Sequence, residues 1–118
     1  MLDKKNVINK EEKAILVGLV YKDQTEAQVK EYLDELSFLA ETAGAVAVKR
    51  FIQRLPHPDS KTFLGKGKLE EIKKYIDGKD IRIAIFVDEL SGAQINNIEK
   101  VLDIKTIDRS DLILDIFA

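Results

Sequence analysis

Lys13-Ala-Ile-Leu-Val-Gly-Leu-Val20 is a continuous apolar run with charge on both sides, Glu11 and Glu12 before it and Lys22 and Asp23 after it. A short run of this kind fits a strand buried on both faces, the pattern of a parallel sheet whose two sides are covered by helices. Working outward, Ile81 to Val87 (IRIAIFV) repeats the pattern and predicts another strand, and Ile104 to Ile107 a further short one. Ala45 to Gln53 (AVAVKRFIQ) starts small and β-branched and turns polar and basic, so it predicts a strand that emerges toward solvent.

Helical signals separate these strands. Thr25 with Gln28 has the form of a capping box; Val29, Leu33, Leu36, Leu39, Ala40 and Ala43 then recur at helical spacing, and Gly44 supplies a stop. Leu69, Ile72 and Ile76 share the face of a second helix that Gly78 ends. Ser91 with Gln94 forms another capping box ahead of Ile95, Ile98 and Leu102, and Ser110 is positioned to cap a last apolar turn, DLILDIFA. Strands alternating with helices predict an α/β fold: a single three-layer domain over residues 1–118, with a mostly parallel sheet of about four strands and helices on its faces. In such sheets ligands gather at the carboxyl ends of the strands, which places Asp88, Glu89, Asp108 and Arg109 on the edge where function tends to reside.

A chain of 118 residues can bury a core of its own and leaves no room for a second domain. It contains no Cys, which removes disulfides, thiolate nucleophiles and sulfur-bound zinc and mildly favours a reducing compartment. The opening MLDKKNVINKEEK is polar rather than a signal peptide, and no apolar stretch approaches the ~20 residues of a membrane span. A cytoplasmic location without a membrane partner is expected.

Lys and Arg number 19 against 21 Asp and Glu, but they are unevenly placed. Residues 1–48 carry 6 positive and 9 negative groups, residues 49–79 carry 9 and 4, and residues 80–118 carry 4 and 8. The middle of the chain is thus a basic island, either a solvated face or a surface for a polyanion such as RNA. Its candidate RNA contacts are Lys49, Arg50, Arg54, Lys61, Lys66 and Lys68. Within it, two prolines in RLPHPDSKT exclude helix and predict an extended, exposed loop over residues 54–62. Phe51 and Phe63 flank the loop and could stack on unpaired bases or pack into the core.

Gly65-Lys-Gly-Lys68 reads as a plain turn and helix start or as a contact for an RNA phosphate. It is not a nucleotide-binding loop of the GxxxxGK[ST] kind, because one residue separates its glycines and Leu69 follows the lysine. Asp88, Glu89 and Asp108 offer hard oxygen ligands, so a free-standing magnesium-dependent phosphoryl-transfer enzyme is the alternative function. Against it, Asp88 and Glu89 immediately precede the Ser91 cap, where negative charge favours a helix N-terminus. His57 is the only histidine and lies between prolines, which leaves no two-histidine metal site and a poorly positioned base.

Three segments together resemble one family: Thr62-Phe-Leu-Gly-Lys-Gly-Lys-Leu-Glu-Glu-Ile72, Phe86-Val-Asp-Glu-Leu-Ser-Gly-Ala-Gln94 with Asn97, and Ile107-Asp-Arg-Ser-Asp-Leu-Ile-Leu-Asp-Ile-Phe-Ala118. With KAILVGLV and AETAGA, they resemble the N-terminal domain of HflX-type GTPases over nearly the whole chain. The resemblance implies an α/β domain followed, outside these residues, by a helical hairpin and a GTP-hydrolysing domain that holds GTP and magnesium. It also implies association with the large ribosomal subunit and its RNA, in translation or the recycling of stalled ribosomes. This chain itself would be catalytically silent. By matching position, the family's motif residues fall on Gly65, Gly67 and Lys68, on Asp88, Glu89 and Leu90, and on Asp108 and Arg109; the match assigns them no contact.

Leu112, Ile113, Leu114, Ile116 and Phe117 are too many apolar residues for one helical face. Some are expected to pack against the family's helical hairpin, and without that cover to drive self-association or misplace the segment.

Overall fold

The computed structural model describes residue 8 and residues 11–117, so residues 1–7, 9, 10 and Ala118 lie outside the described residues. Four strands, β1 (Lys13–Val20), β2 (Val46–Arg54), β3 (Ile83–Phe86) and β4 (Lys105–Asp108), form one all-parallel sheet in the order β2-β1-β3-β4. Four helices alternate with them: α1 (Glu26–Thr42), α2 (Lys66–Ile76), α3 (Gly92–Leu102) and α4 (Arg109–Phe117).

The central strands β1 and β3 explain why their sequences are apolar without alternation. Ile15, Val17 and Leu19 of β1 and Ala84 and Phe86 of β3 face Leu69, Ile72 and Ile76 of α2 and Ile98 and Leu102 of α3. Their neighbours Ala14, Leu16, Val20, Ile83 and Ile85 face Val29, Leu33, Leu36 and Ala40 of α1 and Leu112 of α4. Successive side chains point to opposite sides of a strand, so two covered faces demand apolar residues at every position. Gly18 is the exception required by a close approach: a Cβ there would meet Val29 Cγ1 at 2.7 Å, so glycine lets α1 lie tightly on β1.

Both capping boxes form as expected. Gln28 N donates to Thr25 Oγ1 at 3.1 Å and Thr25 N to Gln28 Oε1 at 2.9 Å, and Ser91 and Gln94 repeat the pair with the same two distances. Gly44 and Gly78 follow α1 and α2 with positive φ. β1 keeps its expected bounds, and the other three strands differ by a residue or two. Ile81 and Arg82 precede the β3 ladder, although Arg82 N still donates to Lys13 O at 3.0 Å, and β4 extends one residue further than expected, to Asp108.

Two expectations need correction. Ser110 does not cap α4; Asp108 does, through Oδ1, which accepts from Asp111 N at 3.0 Å, while Asp111 Oδ2 accepts from Asp108 N at 3.3 Å. A carboxylate accepts more strongly than a hydroxyl, and the helix therefore starts directly from the strand end. The 54–62 loop is exposed but not simply extended: Asp59 and Phe63 exchange backbone hydrogen bonds at 3.0 and 2.9 Å, and Asp59 Oδ1 accepts from Lys61 N and Thr62 N. Those bonds also hold the Asp59 carboxyl below the usual carboxylate range. The C-terminal segment lies on its own sheet, with Leu112 fully buried and Ile116 packed beside it, while Leu114 and Phe117 are 68% and 82% exposed.

Candidate functional site

From β1 the chain crosses to β2 on one side, and from β3 it crosses to β4 on the other. The carboxyl ends of β1 and β3 therefore flank a topological switch point, the usual place for a crevice in such sheets. A crevice of about 350 Å³ opens there, lined by Tyr32 and Glu35 of α1, Val87 and Asp88 after β3, and Arg109. Arg109 Nη2 donates to Glu35 Oε1 at 3.1 Å, tying the start of α4 to α1.

Asp88 is the unusual group. Its Oδ2 is buried without a hydrogen-bond partner, and burial pushes its carboxyl up to about 6. Burial, and then the Asp88 charge, push the phenol of nearby Tyr21 up as well. Asp108 behaves differently. It is 4% exposed, and Oδ2 accepts from Leu90 N at 2.9 Å while Oδ1 caps α4, so its carboxylate sews the Asp88-Glu89-Leu90 turn to the end of β4. Burial, followed by repulsion from Asp108, raises the Asp111 carboxyl. Glu89 is exposed. The sheet thus gathers Asp88, Glu89 and Asp108 on one edge without making them a ligand trio; among the described residues no cluster of three metal-ligating side chains exists.

Gly65 caps α2 with no side-chain bond; its N–H donates to Gln53 Oε1 at 2.8 Å, and a Cβ would meet Gln53 Nε2 at 2.9 Å. Gly65 is thus a joint between β2 and α2, while a Cβ on Gly67 would meet nothing within 4 Å. The Gly65 N–H is already committed to Gln53, and the spacing of Gly65-Lys-Gly-Lys68 lacks the wrap of a phosphate loop, so these residues do not fit GTP.

The basic residues do not share one face. Lys49, Arg50, Arg54, Lys61 and Lys66 are exposed and Lys68 is half-buried. β2 is an edge strand, and its register slips beside Ala47, leaving Val48 as the extra residue of a bulge. Beyond the bulge Lys49 lies on the α2 side, over the rings of Phe51 and Tyr75, while Arg50 points to the α1 side and donates to Asp34 Oδ1 at 2.7 Å. Lys68 pairs with Glu71 at 3.0 Å. Lys61 and Lys66 flank the folded turn, which α3 pins from below: Gln94 Nε2 donates to Asp59 O and Asn97 Nδ2 to Lys61 O, both at 3.0 Å.

Phe51 and Phe63 are 5% and 4% exposed and stand edge-on to Tyr75 and Phe86. They are core residues, and base stacking on them is excluded by their burial. Phe63 holds φ 66°, a conformation disfavoured by roughly 1–2 kcal/mol for a residue with a Cβ, which its insertion beneath the turn offsets. His57 is exposed, with Nδ1 3.4 Å from Pro58 O. The sequence reading missed Tyr21, Tyr32, Tyr75 and Lys79. Only Tyr75 and Lys79 carried a signal, an aromatic–lysine pair four residues apart.

Strand order 2-1-3-4, helices on both faces and a switch-point crevice define a doubly wound α/β domain. Residues 30–118 match the family described as GTP-binding GTPase N-terminal. The chain is 53% identical over 107 residues to the GTPase HflX of Flavobacterium psychrophilum, covering 91% of this chain and 26% of that protein. It is 36% identical to the GTPase HflX of Escherichia coli, over 91% of this chain and 24% of that one. Among solved structures, a Sulfolobus solfataricus GTP-binding protein in complex with GDP superposes with a TM-score of 0.62 at 28% identity, over 91% of this chain and 30% of that one. The chain belongs to the HflX-type GTPases and represents their N-terminal domain. It spans about a quarter of the length of the curated relatives it matches.

Proposed function

We propose that this chain is an RNA-docking domain that brings an HflX-type GTPase to the large ribosomal subunit in the cytoplasm, in translation or the recycling of stalled ribosomes. GTP hydrolysis with magnesium belongs to a separate domain of the longer protein, and the residues described here bind and do not catalyse. The observation that carries this reading is the basic segment from Lys49 to Lys68, displayed on an edge strand and on a turn that α3 holds in place. Exposed lysines and arginines on a fixed backbone suit phosphate contacts, which release counterions and weaken with salt. Among the described residues no helix is long and apolar enough to cross a membrane. The exposed side chains of Leu114 and Phe117 suit contact with the helical hairpin of the longer protein.

Two measurements test this. Reversing Arg54, Lys61 and Lys66 to Glu should weaken binding to purified large subunits at least tenfold while reversing Lys4 and Lys5 changes it little; the opposite pattern places the surface elsewhere. A fluorescent GTP analogue titrated into the chain should show no micromolar binding, and saturation in that range would restore the Gly65–Lys68 turn as a nucleotide site.

A further inference from the structure

At the amino edge of the sheet, on the α2 side, a groove of about 260 Å³ is lined by Lys13, Val48, Tyr75, Lys79, Asp80 and Ile81. Tyr75 organises it. Lys79 Nζ lies 4.2 Å from the centre of the Tyr75 ring and donates to Tyr75 O at 2.8 Å, while Lys49 Nζ lies 5.6 Å from the same ring and 5.8 Å from that of Phe51. The ring is itself fixed edge-on against buried Phe51, with centres 5.6 Å apart. Two ammonium groups are therefore held around one aromatic side chain instead of sweeping through solvent, and Lys13 from β1 adds a third beside them. The groove's one carboxylate, Asp80, is engaged by Arg82 at 2.9 Å, so it opposes an incoming anion weakly.

We propose that Lys13, Lys49 and Lys79, organised by Tyr75, bind backbone phosphates of single-stranded RNA, extending the RNA surface along β2 to the amino edge of the sheet. This rests on the RNA-docking reading and adds a site to it that the charge run alone does not contain, since Lys13 and Tyr75 are no part of that run's candidates. A polyanion is favoured over a small anion because the cations are spread out. Lys13 and Lys79 line the groove while Lys49, on β2, lies outside its lining, so one chain of phosphates can engage all three where a single phosphate cannot. Lysines fixed on a ring lose less freedom when the phosphate arrives, which gives the site preference over free surface lysines.

The test is a titration of labelled oligouridylate into the chain across a salt series, for the unaltered protein, K49Q/K79Q, K13Q, Y75L and K61Q/K66Q. All five lysines and Tyr75 are exposed or half-exposed, and thermal melts confirm that each variant folds. The expected result is a roughly tenfold loss for K49Q/K79Q, with the slope of log affinity against log salt falling by about 1.4, from two phosphate contacts at about 0.7 each on single strands. K13Q should lower the slope by about half as much, and Y75L should lose affinity with an unchanged slope. RNA binding that K61Q/K66Q weakens but K49Q/K79Q and K13Q leave unchanged overturns this site and spares the docking reading. No binding of oligouridylate or large subunits by the unaltered protein overturns both. Inorganic phosphate that perturbs Lys79 and Tyr75 resonances as strongly as the oligomer marks a small-anion pocket and likewise overturns the proposal.

Discussion

At the carboxyl edge of the sheet the charged groups are drawn into the protein, Asp108 on two backbone N–H donors and Asp88 with one oxygen that has none; along β2 and the 54–66 turn they stand in water. The difference separates charge that holds the fold from charge available to a partner. A buried carboxylate contributes through the donors it satisfies, so removing it should damage stability, whereas an exposed lysine contributes little to stability and much to a polyanion's affinity. Variants at the two places should therefore separate cleanly in which measurement they move.

Among the charged groups the largest effect is expected at Asp108. Asp108→Ala strands Leu90 N and removes the cap from α4, two losses that together cost about 2–4 kcal/mol. Urea denaturation should register this as a shifted midpoint. RNA affinity measured on the remaining folded protein should stay within twofold, and a parallel loss of affinity would dissolve the distinction between the two regions.

Asp88→Asn should act with the opposite sign. The carboxyl titrates near 6 in the folded state and near its ordinary value of about 4 when unfolded, so between those values the native protein holds a proton that the unfolded chain has released. Stability contributed by that proton is present below about pH 4 and is lost as pH rises through 6. Because the group is partly solvated, the loss is discounted to on the order of 1–2 kcal/mol. Asp88→Asn should thus be neutral at pH 4 and stabilising by that amount at pH 8, read from melts across the range. A carboxylate that is already ionised and satisfied at pH 5 would leave the variant no advantage.

How much of each region was legible in the sequence follows from how local its contacts are. The two capping boxes, the apolar central strands and the Leu69-Ile72-Ile76 face were readable because their partners lie within a turn or two, or repeat at a fixed period. Asp108 as a cap was hidden behind Ser110, which has the better-known capping chemistry, and only the strand's abrupt end at Asp108 decides between them. The shape of the 54–62 loop depends on Gln94 and Asn97 reaching carbonyls 35 and 36 residues away, a distance over which no spacing pattern operates. Lys49 and Tyr75 meet because β2 and α2 pack together, and the crevice at Asp88 exists because the strand order reverses beside β1; both are properties of topology. The basic run itself was plain, but its division between two faces of an edge strand was not, since one bulge at Val48 sets which residues face α2.

The smallest effect on stability should come from the end of α4, where the contrast between buried and exposed groups recurs within one helix. Leu112 is fully buried against the sheet, and truncating it to Ala would cost about 2–5 kcal/mol; Phe117, five residues on, is 82% exposed, as Leu114 is 68% and Phe38 of α1 69%. An exposed phenylalanine gives almost nothing to the fold it extends from, so Phe117→Asp should change the unfolding free energy by no more than about 0.5 kcal/mol. What it should change is association. Apolar groups left in water gain by meeting one another, yet a few side chains offer far less area than a stable dimer buries, so self-association is expected only at high concentration and with fast exchange. Light scattering over a concentration series should show an apparent mass that climbs for the unaltered chain and stays flat for Phe117→Asp. A mass that is flat for both would mean that these side chains do not meet in solution, and a large drop in stability would show that Phe117 is held by the protein in a way its exposure denies.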